Sequence, residues 1–321
     1  MTKLSGVTPS GRVQLGNYLG AIRRWAREGG DDDLYFVSDL HAMTNAYNPQ
    51  RLRALTREML AVLIGAGINP ESVFVQSDMT RDLAALTWVL ECTCTYGEAA
   101  RMIQFKEKSA GAKTVRLGLL TYPVLMAADI LLQGVDEVPV GEDQAQHVEL
   151  ARLLARRFNS TYGEVFVVPR AVTPGVAARV RDLSDPTRKM AKSSRDDAGV
   201  VFVLDNPDMI RRKIRRAVTD AGTEVTYEPD AKPGVANLLE ILGACTGMSP
   251  RDVAAGIDTY GALKEAAADA VVEEFRPVRK RTLDLLADPT ELDRIRTTGA
   301  ERAAARGAHR LAAVMRVAGI G

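Results

Sequence analysis

The sequence predicts an α/β protein: a doubly wound parallel sheet with a helical insertion, followed by an all-helical C-terminal domain. Three observations lead there. Short apolar runs alternate with amphipathic stretches through the first half of the chain, and glycine turns follow those runs. From Gly234 onward only helical periodicity and turn signals such as Thr246-Gly247-Met248-Ser249-Pro250 remain. A chain of 321 residues is long enough to bury the core of one large domain and a smaller one. The expected boundaries are 1–200 for the sheet domain, with the insertion at about 80–133, then 201–295 for the helical domain and 296–321 for a last helix packing back on the sheet.

The elements follow in order. Lys3 to Val7 reads as a strand entering a Thr-Pro-Ser-Gly turn, and Leu15 to Trp25 has the apolar spacing of a helix. Leu34 to Val37 is an apolar strand ending at Ser38-Asp39, Gln50 to Ile64 a helix, and Ser72 to Gln76 a strand. Leu83 to Cys94 and the strongly apolar Leu117 to Leu132 are helical, with a polar, basic stretch from Phe105 to Arg116 between them. Val138 to Gly141 reads as a strand, Glu142 to Arg157 as a helix and Phe166 to Pro169 as the last sheet-like run. Pro207 to Val218 is a basic helix, and Glu301 to Val317, rich in Ala and Arg, is the final one. In a parallel sheet covered on both faces, ligands bind at the C-terminal ends of the strands, which is where the glycine turns fall.

Composition narrows the partners. The formal charge of +1 arises from 42 basic and 41 acidic residues, so a nucleic-acid surface has to be a local patch. Arg211, Arg212, Lys213, Arg215 and Arg216 form such a patch on little more than one helical turn, suited to RNA phosphates or simply to a solvated face. Three cysteines give no disulfide framework. Cys92-Thr93-Cys94, with no further Cys or His nearby, reads as buried structural thiols and not as a metal site. No apolar run reaches the roughly 18–20 residues of a membrane span and nothing resembles a signal peptide, so a soluble, cytoplasmic protein is expected, with no membrane partner.

Three segments carry chemistry. Pro9-Ser10-Gly11 and Leu15-Gly16-Asn17-Tyr18 let backbone approach a nucleotide closely, and a helix beginning near Gly16 would offer unpaired N–H groups to phosphate. Gly141-Glu142-Asp143-Gln144 follows a strand and opens a helix. There Asp143 can accept from ribose hydroxyls and Gln144 can orient a substrate amine, or Asp143 can serve only as a helix cap. Lys189-Met190-Ala191-Lys192-Ser193 places two lysines where they can follow the β- and γ-phosphates of ATP as pyrophosphate leaves; a solvated basic loop is the alternative. Neither a P-loop nor a dinucleotide fingerprint is present. Tyr122, Met126 and Asp129 share one face of the apolar helix, and an acid there must meet a ligand N–H or a protein base. His41 stands at a sheet terminus, and His147 lies one helical turn beyond Asp143; both read as structural by default.

Taken with Gln104-Phe105-Lys106-Glu107-Lys108-Ser109, Leu120-Thr121-Tyr122-Pro123, Met126-Ala127-Ala128-Asp129-Ile130-Leu131, Val138-Pro139-Val140-Gly141-Glu142-Asp143-Gln144 and Ala217-Val218-Thr219-Asp220, the chain resembles the class I aminoacyl-tRNA synthetases of the bacterial tryptophanyl type. The resemblance implies a Rossmann-like catalytic domain, a helical anticodon-binding domain, a homodimer, and activation of L-tryptophan by ATP with Mg2+ before transfer to tRNA(Trp). It implies that Asp129 receives the indole N–H, with Tyr122, Met126, His41, Val138 and Val140 around the substrate and Gln144 on its amino group. It assigns ATP to Thr8, Pro9, Ser10, Gly16, Asn17, Gly141, Glu142, Asp143, Val180, Lys189, Met190, Ala191, Lys192 and Ser193. Lys108 would reach the triphosphate, so that Lys108, Asp143, Lys189, Lys192 and Ser193 form the catalytic set.

Four positions depart from that family's usual pattern and are expected to cluster near the nucleotide: Leu4, where an aromatic is common, Thr8 for Gln, Gln14 for His or Thr, and Ala191 for Ser. They imply altered ATP or inhibitor affinity and an auxiliary copy tolerant of a tryptophan-mimicking inhibitor. Gln14 can still donate a hydrogen bond to phosphate. The competing readings are a tyrosyl-tRNA synthetase, in which the pocket acid would meet a phenol, and a non-catalytic paralogue that binds tryptophan or a protein and regulates.

Overall fold

The structure, a computed structural model, describes residues 1–172, 180–190 and 197–320, with only the backbone of Glu142 and Asp143. The elements run β1 (Leu4–Val7), α1 (Leu15–Asn17), a π-helical stretch (Tyr18–Ile22), α2 (Arg23–Glu28), β2 (Leu34–Val37), α3 (Asp39–Ala42), α4 (Pro49–Gly65), β3 (Val73–Val75) and α5 (Thr80–Thr93). They continue through α6 (Tyr96–Ala100), α7 (Ile103–Ser109), α8 (Leu117–Gln133), β4 (Glu137–Pro139), α9 (Glu142–Tyr162) and β5 (Arg170–Val172). Then come α10 (Pro207–Arg215), α11 (Pro233–Thr246), α12 (Pro250–Ala255), α13 (Tyr260–Ala287) and α14 (Pro289–Val317).

Among the described residues the named strands all pair in parallel. β1 pairs with β2 and β2 with β3, with Val7, Val37 and Val75 in register at their ends; β4 pairs with β5. A parallel bridge from Lys3 to Glu137 joins the two groups, giving the order β5-β4-β1-β2-β3. The chain therefore reverses its direction of growth between β1 and β4, the switch point at which doubly wound sheets open a crevice.

Alternating residues of the strands feed two cores. Tyr35, Val37, Val73 and Val75 face one, which continues through α4 into α11 and α13. Leu4, Leu34, Phe36 and Phe74 face the other, filled by α5, α8 and α9. Both faces being buried explains why these strands read as continuous apolar runs.

Local chemistry fixes the helix ends. Asn48 caps α4 by accepting from Arg51 N, with Pro49 at the first position. Thr95 and Glu98 form a capping box on α6. α8 stops at Gly134, whose φ of +58° suits a residue without a Cβ.

Three expectations need correction. The last strand is Arg170–Val172, not Phe166 to Pro169. Asn159 accepts from Val165 N and Phe166 N and donates to the Phe166 carbonyl, so a side chain takes those backbone groups before a sheet can; Pro169 has no N–H to give. α10 stops at Arg215 because Val218 N turns away to donate to the Leu183 carbonyl at 2.8 Å. The cysteines are free but none is fully buried: Cys92 is exposed, and Cys94 and Cys245 are half-buried.

The arginines of α14 mostly serve carbonyls and acids of the sheet region. Arg296 forms a two-pronged pair with Asp78 (2.6 and 2.7 Å), and Arg306 donates to the Gln133 and Asp32 carbonyls, both at 2.9 Å. α14 lies against the edge strand β3, so closely at Gly299 that a Cβ there would overlap the Val73 carbonyl. No described helix is long and apolar enough to cross a membrane. Gly299→Ala is expected to destabilise the protein by about 2 kcal/mol in urea unfolding, overpacking outweighing the gain in helix propensity. An unchanged midpoint would mean that α14 is free to shift off β3.

Candidate active site

The C-terminal ends of the strands bring the predicted segments to one edge. β1 ends in Thr8 to Gly11, β2 in Ser38 and Asp39, β3 in Gln76, and β4 in Val140 and Gly141. Two bonds stitch this edge together: Thr8 Oγ1 lies 2.9 Å from Ser38 Oγ, and Ser5 Oγ donates to the Pro139 carbonyl at 3.1 Å across the switch point.

Asp129 anchors one half of the site. It projects from α8, 2% exposed. His41 Nε2 lies 3.0 Å from its Oδ2, and Gln76 Nε2 donates to Oδ1 at 3.0 Å and Oδ2 at 2.8 Å. Gln76 in turn accepts from Leu40 N at 3.1 Å, so one fully buried carboxamide ties the end of β3 to the segment after β2 and to the acid. A carboxylate has about four acceptor positions. Among the described residues these contacts take three of them. Burial pushes the Asp129 carboxyl above the usual carboxylate range, opposed by the bonds from His41 and Gln76.

On the same face of α8 the Tyr122 hydroxyl meets His147 Nε2 of α9 at 2.8 Å, and its ring stands edge-on to His41 with centroids 6.1 Å apart. Lys108 Nζ lies 5.9 Å from the Tyr122 ring centre. Met126 and Val140 are half-buried beside the core, and Gln144 is half-buried on the first turn of α9, whereas Val138 is a core residue at 3% exposure. His41 and Tyr122 thus lie together beside Asp129, with Gln76 and His147 bonded to the same group of side chains. Gln76 was missed although a polar residue directly after Val73-Phe74-Val75 occupies a strand terminus, and that position was its only signal.

The other half joins the N-terminal turn to the lysine segment. Val203 N donates to the Val13 carbonyl and Leu15 N to the Val201 carbonyl, so residues 13–15 run antiparallel to residues 201–203. Phe202 carries the Arg12 guanidinium at 5.0 Å and Lys213 Nζ at 4.9 Å from its ring centre. Lys189 is exposed; Met190 and Val180 are buried, with Met190 N donating to the Val180 carbonyl at 3.2 Å. Asn237 of α11 accepts from Arg181 N and donates to the Arg181 carbonyl, bracing the base of this segment. Ala191, Lys192 and Ser193, and the side chains of Glu142 and Asp143, lie outside the described residues.

Several readings change here. The N–H groups of Gly16 and Asn17 are not unpaired: both donate to Gln14 Oε1. Gln14 donates to the Met190 carbonyl, not to open space where a phosphate could sit. Leu4 does not join the nucleotide edge; it is fully buried at the opposite end of β1. Of the five cations of α10 and its end, Lys213 is buried, donating to Asp205 and the Val200 carbonyl at 2.7 Å each, and Arg211 pairs with Asp269. Arg212, Arg215 and Arg216 remain exposed. Asn17 Oδ1 and His41 Nδ1 are buried with no hydrogen-bond partner among the described residues, and both belong to the segments assigned to ligands.

At neutral pH, Gln76→Leu is expected to cost about 1–3 kcal/mol of stability, the penalty for a buried carboxylate that loses its donor. Asp129 has a raised folded-state pKa, so its contribution is full at acid pH and is lost as pH rises through that value; removing Gln76 raises the value further. The gap between variant and wild type should therefore widen from about pH 5 to about pH 8 in urea unfolding. An equal gap at both would show that Asp129 is not the group responding.

Comparison with known proteins gives the family. The family described as tRNA synthetases class I (W and Y) matches residues 1–276. The chain is 55% identical over 314 residues to a tryptophan–tRNA ligase 1 of Streptomyces coelicolor, covering 95% of this chain and 93% of that one. In structure it is similar to tryptophanyl-tRNA synthetase from Mycoplasma pneumoniae (TM-score 0.87, 32% identity, 100% of this chain and 98% of that one). It is similar also to the Campylobacter jejuni tryptophanyl-tRNA synthetase complexed with ADP and tryptophan (TM-score 0.85, 28% identity, 100% of both chains). A Rossmann-like sheet with its switch-point edge, a buried acid on α8 and a lysine segment docked on the N-terminal turn are thus joined in one chain, and that chain belongs to the bacterial class I tryptophanyl-tRNA synthetases.

Proposed function

We propose that this protein is a tryptophan–tRNA ligase, which activates L-tryptophan with ATP to tryptophanyl-adenylate and pyrophosphate and then transfers tryptophan to tRNA(Trp). The observation that carries the choice of amino acid is Asp129, a buried carboxylate on an apolar helix with one acceptor position left. An indole N–H fills that position. Phenylalanine would leave it unpaired, a larger penalty than a difference in shape imposes. Tyr122, Met126, His41 and Val140 frame the ring, Val138 backs the pocket from the core, and Gln144 holds the amino group.

Activation is an in-line attack of the tryptophan carboxylate on the α-phosphate, so the chain supplies position and positive charge and no covalent nucleophile. Thr8, Pro9, Ser10, Gly16, Asn17, Gly141, Glu142, Asp143 and Val180 bound the nucleotide. Lys108, Lys189 and Lys192, with Ser193 and the backbone of Met190 and Ala191, face the triphosphate, neutralising the charge that grows on pyrophosphate as the bond breaks. Mg2+ arrives with ATP and needs no protein site of its own.

Residues 1–200, with the insertion at about 80–133, form the catalytic domain in this reading, 201–295 the anticodon-binding domain, and 296–321, which holds the greater part of α14, returns to the sheet. The exposed Arg212, Arg215 and Arg216 face tRNA phosphates. The protein acts in the cytoplasm as a homodimer. An auxiliary, inhibitor-tolerant role rests on the departures at Thr8, Gln14 and Ala191, and ordinary sensitivity of the purified enzyme to a tryptophan mimic would remove it.

Amino-acid-dependent ATP–pyrophosphate exchange tests the assignment. Wild type should exchange with tryptophan and not with tyrosine. Asp129→Ala should lower kcat/KM for tryptophan by about 10- to 150-fold and lose discrimination, the effect of one buried charged hydrogen bond. Lys192→Ala should lower kcat by roughly 100-fold, with the KM for tryptophan little changed. Exchange with tyrosine alone, or with no amino acid, would sink the proposal.

A further inference from the structure

Gln14 is 2% exposed and both ends of its carboxamide are engaged. The oxygen accepts from Gly16 N and from Asn17 N, the latter at 3.3 Å, closing the first turn after the N-terminal strand. The nitrogen donates to the Met190 carbonyl at 2.8 Å, 176 residues along the chain. Space around this contact is tight: a Cβ on Gly16 would stand 3.0 Å from Gln14 Oε1 and 3.2 Å from Val180 Cβ. Besides Gln14, Met190 is held by its own N–H on Val180, and Arg181 and Lys189 form a bridge beside it.

The geometry points to Gln14 as a positioning residue that ties the lysine segment to the N-terminal turn and so sets where Lys189 stands relative to ATP. It does this only because a carboxamide presents an acceptor and a donor at once. The acceptor fixes the turn through Gly16 and Asn17, and the donor fixes the segment through Met190, so the two halves of the nucleotide site share one rigid group. The inference rests on the ATP site proposed above for what the tie positions, but the tie itself is a property of the protein without substrate.

Two substitutions separate the halves. Gln14→Glu keeps an oxygen for the Gly16 and Asn17 N–H groups and turns a second acceptor towards the Met190 carbonyl, breaking the tie alone. Gln14→His has one ring nitrogen to accept and one N–H to donate, and retains both contacts. In the nucleotide-free protein, tryptic cleavage after the exposed Lys189, followed by mass spectrometry, should be about tenfold faster in Gln14→Glu than in wild type, the effect of one lost hydrogen bond. It should stay near the wild-type rate in Gln14→His. In pyrophosphate exchange the KM for ATP should rise about tenfold in Gln14→Glu and be restored by His, while the KM for tryptophan stays put.

Equal cleavage rates in wild type and Gln14→Glu overturn the tie. Faster cleavage with an unmoved KM for ATP, or parallel rises in both KM values, overturns its positioning role. If wild type exchanges with no amino acid, the function proposed above fails while the cleavage comparison still decides the tie. Should Gln14→Glu not fold, Gln14→Met, similar in shape and lacking both polar contacts, still tests the tie by cleavage: a wild-type rate after Lys189 overturns it.

Discussion

A parallel sheet buried on both faces has nowhere to bind a ligand except at its ends, and this constraint organises the rest of the protein. The side chains of β1 to β3 point alternately into two cores, one filled by α5, α8 and α9 and the other by α4, α11 and α13. The crossovers that place helices on those faces also place the strand-ending residues Thr8, Ser38, Gln76 and Gly141 on a single edge. The edge opens at the boundary of β1 and β4, where Ser5 bonds the Pro139 carbonyl across the reversal in strand order.

At this edge a buried charge is made useful. Desolvation works against the Asp129 carboxylate, and His41 and Gln76 work for it, so donors that follow two different strands offset its cost. The same economy explains Gln76, which serves the Leu40 backbone and Asp129 with one side chain. Gln76 directly follows β3, His41 stands in α3 after β2 and Asp129 itself on α8, so regular elements and not a long loop hold these groups together.

The lysine segment presents a different problem, since it lies far along the chain from the turn it must face. Its base is held by Asn237 of α11, its Met190 by Gln14, and the strand-like run after it by the backbone of Val13 and Leu15. The helical C-terminal region, through Asn237 of α11, therefore braces the segment that carries Lys189 and Met190.

The sequence by itself determined the α/β class, the order of most elements, and the residue types of the candidate site: Asp129 on an apolar helix, His41 after a strand, and the glycine turns at strand ends. Each is encoded in local periodicity or in residues with few roles. It did not determine where β5 lies, because Asn159 captures the backbone of Val165 and Phe166 through a contact no periodicity records. Nor did it determine that Lys213 is buried on Asp205 among exposed arginines, or that Gln76 and His147 complete the pocket. Gln14 shows the same division. Its identity is plain in the sequence, but its partner stands at position 190, and only the packing of the turn against the lysine segment decided that its amide would meet a carbonyl and not a phosphate. Hydrogen bonds between distant residues depend on the assembled fold, and no local pattern carries them.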